Sequence, residues 1–305
     1  MERVSAAIQI KDLKKKFKGG FSLDIPELEI PKGFATALIG ENGAGKTTLL
    51  NILAGIRLDY KGSIRFFDKW SDKDREKDGN PVKEMIGYTG PGSYYLPGWT
   101  VTQVEEINSL LFENFSKEKY EKYVDMLQIA KLGKAGWGKK VSNLSDGNRM
   151  KLMLAGVLAR ETELLLLDEP ASPLDPLMRD VLCDMIHDYI GQGEGEKTVF
   201  FSTHNIADME NVTDYAIIME QGHVAEQVFV EDLKEKYILV KGEAEDTEKA
   251  EKILYSINKN AYGYEGICLA EDLNRLAGLD IQVSAPSLSQ ISVAVMKKGT
   301  KIHLL

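Results

Sequence analysis

The sequence predicts an α/β fold: a mostly parallel core sheet flanked by helices, a helical insert, and a small α+β appendix at the C-terminal end. Three observations carry this expectation. Short apolar β-like runs alternate with segments of three- and four-residue apolar spacing. A glycine-rich stretch, residues 40–48, stands between one such run and a helical segment. Four consecutive leucines, residues 164–167, read as a buried strand running into Asp168 and Glu169.

Taken in order, residues 7–10, 21–25 and 35–39 are short strands divided by turns. Residues 63–67, after Lys61-Gly62, are a further strand candidate. The charged stretch 69–80 reads as a solvated loop or frayed helix. From 101 to about 160 the pattern turns mostly helical, with apolar residues at helical spacing in 105–112 and 120–127. Strand 164–167 is followed by helix 177–190, a glycine-rich surface loop at 191–195, and strands at 198–201 and 215–219. Composition shifts near Glu231. Beyond it the sequence predicts strand 237–240, helix 245–258, strand 264–269, a short helix 271–277, strand 281–283 and a closing helix 289–297. The expected division is a main domain, 1–235, with a helical subdomain at about 95–160, and an accessory domain, 236–305.

The 305 residues are long enough for one large domain with a sizeable core plus a small one. Apolar residues at 43% and charged residues at 28% are ordinary for a globular protein. A net charge of −9 argues against a general nucleic-acid binder, so no nucleic acid is expected as partner. Cys183 and Cys268 lack metal-ligand spacing and read as reduced thiols. No stretch approaches the length of a membrane-spanning helix, and the first residues show no secretory apolar core. Work at a membrane would therefore need a second chain to provide the membrane part.

The stretch Gly40-Glu-Asn-Gly-Ala-Gly-Lys-Thr-Thr48 fits G-x-x-x-x-G-K-[ST]. Glycines without Cβ let successive backbone N–H groups curl around phosphate oxygens, and a helix starting there adds the positive end of its dipole. Lys46 is placed to reach the β- and γ-phosphates and the Thr47 hydroxyl to ligate Mg²⁺. A nucleoside triphosphate, ATP with Mg²⁺, is the expected ligand. Asp168 and Glu169 at the end of a buried strand are costly unless a metal or catalysis uses them. In a phosphate-loop enzyme the first holds Mg²⁺ and the second acts as general base. Upstream, Leu144-Ser-Asp-Gly-Asn148 places Ser145 and Gly147 at a helix start. Alone this is an ordinary N-cap; in context it is a second phosphate-binding cap.

In this order the segments GENGAGKTT, LSDGN, LLLLDEP, ASPLD (171–175) and STH (202–204) resemble those of the ATP-binding subunits of ABC transporters, over roughly residues 5–230. The resemblance implies a P-loop NTPase fold with an antiparallel β subdomain and the helical insert. It also implies roles. Lys46, with the loop residues Asn42, Gly43, Ala44, Gly45, Thr47 and Thr48, holds the phosphates, and Thr47 and Asp168 share the Mg²⁺. Glu169 is the general base and His204 contacts the γ-phosphate and attacking water. Ser145 and Gly147 bind ATP held by a second subunit, so a complete site needs a homodimer or heterodimer. Phe17 is the aromatic expected on the adenine, with Phe21 as its rival.

Two departures from the family pattern matter. Asp146 and Asn148 stand where the family usually has glycine and glutamine, while Ser145 and Gly147 remain. After residues 85–88 the chain reads Thr89-Gly-Pro-Gly-Ser93 where the family places a coupling glutamine, and Gln103 lies too far along. Hydrolysis is still expected, because Glu169 and His204 are present. The segment 94–100, rich in aromatics, either docks a permease or fills the seam between subdomains. Residues 286–299 resemble the closing helix of subunits serving bacterial drug, antibiotic and peptide exporters. The expected role is thus ATPase subunit of a membrane transporter, with export as direction, a separate integral membrane permease as partner, and a cytoplasmic position on the inner face of the membrane. A soluble ATPase without transport, or a nucleotide-gated regulatory module, is the alternative.

Overall fold

Side-chain alternation builds the central layer. Along a strand, successive residues point to opposite faces. Leu165 and Leu167 therefore join one apolar cluster together with Val199, Phe201 and Ile39, while Leu164 and Leu166 join another with Phe200 and Leu38. All of these are essentially without solvent exposure. A sheet apolar on both faces must be covered on both, and it is. The molecule is described by a computed structural model over residues 5–73, 81–92, 94–129 and 134–300.

The first half contains β1 (Ala6–Lys16), β2 (Ser22–Pro31), β3 (Ala35–Ile39), α1 (Lys46–Leu53), β4 (Lys61–Phe66) and β5 (Trp70–Ser71). Then come α2 (Pro81–Met85), β6 (Ile86–Thr89), α3 (Val101–Leu111), α4 (Lys117–Met126), α5 (Lys134–Trp137) and α6 (Asp146–Leu158). The central layer resumes with β7 (Leu164–Asp168), α7 (Pro176–Gly191), β8 (Thr198–Thr203), β9 (Tyr215–Glu220) and β10 (His223–Phe229). The chain closes with α8 (Val230–Lys236), β11 (Tyr237–Glu243), α9 (Thr247–Ala250), β12 (Tyr255–Asn260), β13 (Gly263–Leu269), β14 (Ile281–Ser284) and α10 (Leu288–Thr300).

Three sheets result. The central one has the order β10-β9-β3-β8-β7-β6, parallel except for the β10 edge. An antiparallel sheet, β2-β1-β4-β5, covers α1 from the other side, through Ile8, Ile10, Leu13 and Ile64. The third, β12-β13-β11-β14, is wholly antiparallel. The helical insert packs through α6, whose residues from Met150 to Leu158 are all buried. Leu288, Ile291 and Ala294 of α10 enter the same cluster as α6 and α7, which ties the small C-terminal sheet to the main core. Among the described residues, no helix is long and apolar enough to cross a membrane.

One predicted element fails. Residues 245–258 do not form a helix: only Thr247–Ala250 makes an α turn, and Tyr255–Asn260 is strand β12. Its partner follows a tight turn in which the Asn260 side chain accepts from the N–H groups of Tyr262 and Gly263, at 2.8 and 3.0 Å. The Asn-Ala-Tyr-Gly turn chemistry overrides the charged, helix-like composition before it. Strand β10 is a second omission, made by a turn with Gln221 and Gly222 at φ 45° and 86°. Such a turn, with both central residues left-handed, suits a hairpin. Of the expected loop at 69–80, Trp70 and Ser71 pair with β4, and residues 74–80 lie outside the described ones.

Candidate active site

The loop after β3 turns back on itself before α1 begins. Gly45, at φ 107°, caps α1 in a conformation open to glycine, and a Cβ there would meet Phe21 Cζ at 3.0 Å and Leu23 Cδ1 at 3.1 Å. Lys46 is buried, with its ammonium donating to the carbonyls of Gly40 at 2.7 Å and Glu41 at 3.1 Å. The same nitrogen lies 3.4 Å from Glu169 Oε1. A cleft of about 500 Å³ opens over this loop, lined by Asn42, Gly43, Lys46, Thr47 and Glu169 with both Phe17 and Phe21. Thr48 and Gly45 also border it, whereas Ala44 is buried beneath a smaller hollow beside Met219 and Met296.

The parallel pairing of β7 with β8 brings Asp168 opposite Ser202. The Ser202 hydroxyl donates to Asp168 Oδ1 at 2.5 Å and accepts from the Glu169 N–H at 2.9 Å. One residue thus holds the Asp168 carboxylate and the Glu169 backbone together, although the sequence reading assigned roles only to its neighbours. Burial pushes the Asp168 carboxyl above its usual range, and hydrogen bonds from Ser202 and Thr47 pull it back in part. Its second oxygen, Oδ2, is buried with no hydrogen-bond partner. A hard-oxygen set of one orphan carboxylate oxygen beside a hydroxyl fits Mg²⁺, which keeps most ligands as water and phosphate.

Glu169 sits at φ 51°, left-handed for a residue with a Cβ, which aims its side chain across the cleft. Its Oε2 lies 2.7 Å from His204 Nδ1, so β7 and β8 bring together the two residues expected to handle the attacking water. Beside them, Tyr88 at the end of β6 donates to Asn51 Oδ1 at 2.9 Å. Burial and the Asp168 charge raise its phenol pKa beyond the ordinary range. Neither Tyr88 nor Asn51 had a signal of its own in the sequence.

Phe17 and Phe21 stand 5.7 Å apart, ring centroid to centroid. Phe17 carries Lys15 Nζ and Arg57 Cζ each at 5.2 Å from its ring, and Asp59 pairs with both cations. Phe21 instead packs against the loop at Gly45.

Ser145 and Gly147 do not reach this cleft. Ser145 caps α6, accepting from Asn148 N–H at 3.3 Å. A Cβ on Gly147 would lie 2.7 Å from the Pro173 carbonyl, so only glycine allows α6 to start against the 171–175 loop. Asp146 is exposed and held by Arg149 at 2.8 Å, which offsets the negative charge it brings to a phosphate-type cap. Gln103 is structural: it completes a capping box with Thr100 at the start of α3. In segment 94–100, Tyr95 is buried and bonded to Asn108, Trp99 is partly buried in the core, and Tyr94 is half-exposed. Ser93 lies outside the described residues.

Comparison with known proteins gives the family. Residues 23–172 match the family model described as ABC transporter. The chain is 30% identical over 265 residues to the energy-coupling factor transporter ATP-binding protein EcfA2 of Lactococcus lactis, covering 84% of this chain and 90% of that one. It is 28% identical to an uncharacterized ABC transporter ATP-binding protein of Nostoc, covering 98% of this chain and 92% of the other. Among solved structures, a dimeric post-hydrolysis state of an ATP-binding cassette bound to ADP and Pi superposes with a TM-score of 0.60, 21% identity, 73% of this chain and 98% of that one.

Proposed function

The chain belongs to the ABC transporter ATP-binding proteins, and from that premise we propose that it is the ATP-hydrolysing subunit of a membrane transporter, working in the export direction. The observation that carries the reading is that Lys46 and Glu169 line one cleft, with Glu169 touching both Lys46 and His204 and Ser202 joining its backbone N–H to the Asp168 carboxylate. In this reading Lys46 and the amides of residues 42–48 hold the phosphates, while Thr47 and Asp168 hold the Mg²⁺. Mg²⁺ supplies charge neutralisation at the β- and γ-phosphates. Glu169 takes the proton of the attacking water, and His204 keeps Glu169 oriented and faces the γ-phosphate.

Ser145 and Gly147 lie away from the cleft of their own chain, which supports a dimer in which each chain caps the ATP of its partner. Both halves of the site are present, so two identical copies suffice. The chain would sit on the cytoplasmic face of the membrane against a separate permease, with residues 236–305 as an accessory domain on the ATPase. Export rests on the likeness of residues 286–299 to the closing helix of exporter subunits. The test is Mg-ATP turnover by the purified protein, alone and with the membrane protein that co-purifies with it. Steady turnover, faster in the complex, is expected; tight ATP binding without turnover in either sample would refute the reading.

Base recognition separates the two aromatics. Stacking of a base on an aromatic ring contributes about 1–3 kcal/mol. Phe17→Ala should raise the ATP dissociation constant roughly ten-fold on that scale, while Phe21→Ala, whose ring packs against Gly45, should change it less. Equal losses in the two variants, measured by equilibrium binding, would remove Phe17 from this role.

A further inference from the structure

Behind the aromatic ring expected on the base lies a cluster of charges that the chemistry of the site leaves without a task. Side chains two apart on a strand share a face, so Lys15, next to last in β1, stands on the same side as Phe17 just beyond it. The Lys15 ammonium lies 5.2 Å from the centre of the Phe17 ring. A second cation comes from elsewhere in the chain. Helix α1 runs out into a left-handed glycine, Gly55 at φ 76°, whose N–H donates to the Ile52 carbonyl at 3.0 Å. The next two N–H groups, of Ile56 and Arg57, turn back to the Asn51 carbonyl at 2.9 and 3.1 Å. This tight exit swings the chain toward the end of β1 and puts Arg57 Cζ 5.2 Å from the same ring centre.

Asp59, two residues on, ties the cations together: it accepts from the Lys15 ammonium and lies 3.4 Å from Arg57 Nη1. The hydrogen bond from Lys15 holds its carboxyl below the usual carboxylate range. The Lys15 side chain is only 12% exposed although it carries a charge. An exposed ion pair by itself contributes little; a network of several charges is the case in which such pairs count. None of the three lines the nucleotide cleft, while Phe17 does, so their reach to a bound nucleotide is through the ring. Phe17 needs such backing. It opens a turn in which neither Gly19 nor Gly20 has a neighbour within 4 Å of where a Cβ would stand, so the glycines of the turn offer the ring no support.

We infer that Lys15, Arg57 and Asp59 are positioning residues for base recognition: Asp59 clamps the two cations behind Phe17, and they hold the ring in place to receive the adenine of ATP. This role rests on the ATP-binding reading, with Phe17 as the base platform, and deepens it. A ring free to rotate would have to be ordered by the nucleotide, and that ordering lowers affinity. A ring already held receives the base without that cost. The same arrangement joins the two ends of the site through one helix, since α1 begins at Lys46 in the phosphate loop and its exit delivers Arg57 to the ring.

The test is a double-variant cycle on the full-length protein, read as equilibrium binding of Mg-ATP and of inorganic triphosphate, which has no base. Asp59→Ala should raise the Mg-ATP dissociation constant about two- to fivefold, the size of an exposed cation–π contact, and Asp59→Glu should restore it. Triphosphate affinity should not fall in either variant. In a Phe17→Ala background, Asp59→Ala should bring no further loss, because its effect passes through a ring no longer present. A loss that adds in full to that of Phe17→Ala would overturn the inference. So would an equal loss for triphosphate, or an Asp59→Ala protein that binds Mg-ATP like the parent. Arg57→Gln opens the cluster from its other side and should repeat the same pattern, with a thermal melt confirming the fold of each variant. A parent that binds no ATP would remove the transporter reading and this role with it. Phe17→Ala weakening ATP while Asp59→Ala does not would remove this role alone.

Discussion

Glu169→Gln is expected to lower Mg-ATP turnover by about 10²–10⁴-fold, the contribution of a positioned general base, with ATP still bound. The variant keeps the shape of the side chain and its acceptor oxygen. What it loses is the charged carboxylate, whose Oε2 lies 2.7 Å from His204 Nδ1 and whose Oε1 lies 3.4 Å from Lys46 Nζ. The backbone there is independently fixed, since the Glu169 N–H is bonded to Ser202 Oγ. Folding should therefore be little changed, and a thermal melt of the variant checks it. Steady-state hydrolysis together with retention of labelled ATP reads the effect. Turnover within a few-fold of the parent would assign the base elsewhere.

Much of this site was legible because its chemistry is local in sequence. The loop at 40–48 needs contiguous glycines, and the carboxylates need a buried strand directly before them, so each leaves a compact signature. The central strands were legible for a related reason: unbroken runs such as Leu164–Leu167 are required where both faces of a sheet are covered. What escaped was set by pairing across the chain. Ser202 gains its position from the β7–β8 register, and nothing in its own neighbours distinguishes it from an ordinary strand-end serine. The same holds for Arg57, which reaches the Phe17 ring only because the segment after α1 runs back toward the end of β1. Strand β12 was misread because a charged stretch with scattered apolar residues satisfies a helical pattern, and the deciding signal was the Asn260 turn that follows it.

Lys46→Met is expected to weaken ATP binding by about one to two orders of magnitude, corresponding to the roughly 1.5–3 kcal/mol of a hydrogen bond to a charged group. In the free protein the ammonium is held by two carbonyls of its own loop and by Glu169. Those contacts fix it 5% exposed at the floor of the cleft, so the phosphate meets a cation already positioned and already stripped of most of its water. Methionine fills the same space without charge, and the loop's glycines keep their conformation. Affinity should fall while the fold remains, as equilibrium binding and a thermal melt together would report. The double variant Lys46→Met/Glu169→Gln decides how the two residues share the work. If Lys46 acts on the phosphates and Glu169 on the water, the loss of affinity persists unchanged when Glu169 is already neutral. A loss that disappears in the double variant would mean that Lys46 serves mainly to hold Glu169, and the phosphate contact would pass to the loop amides alone.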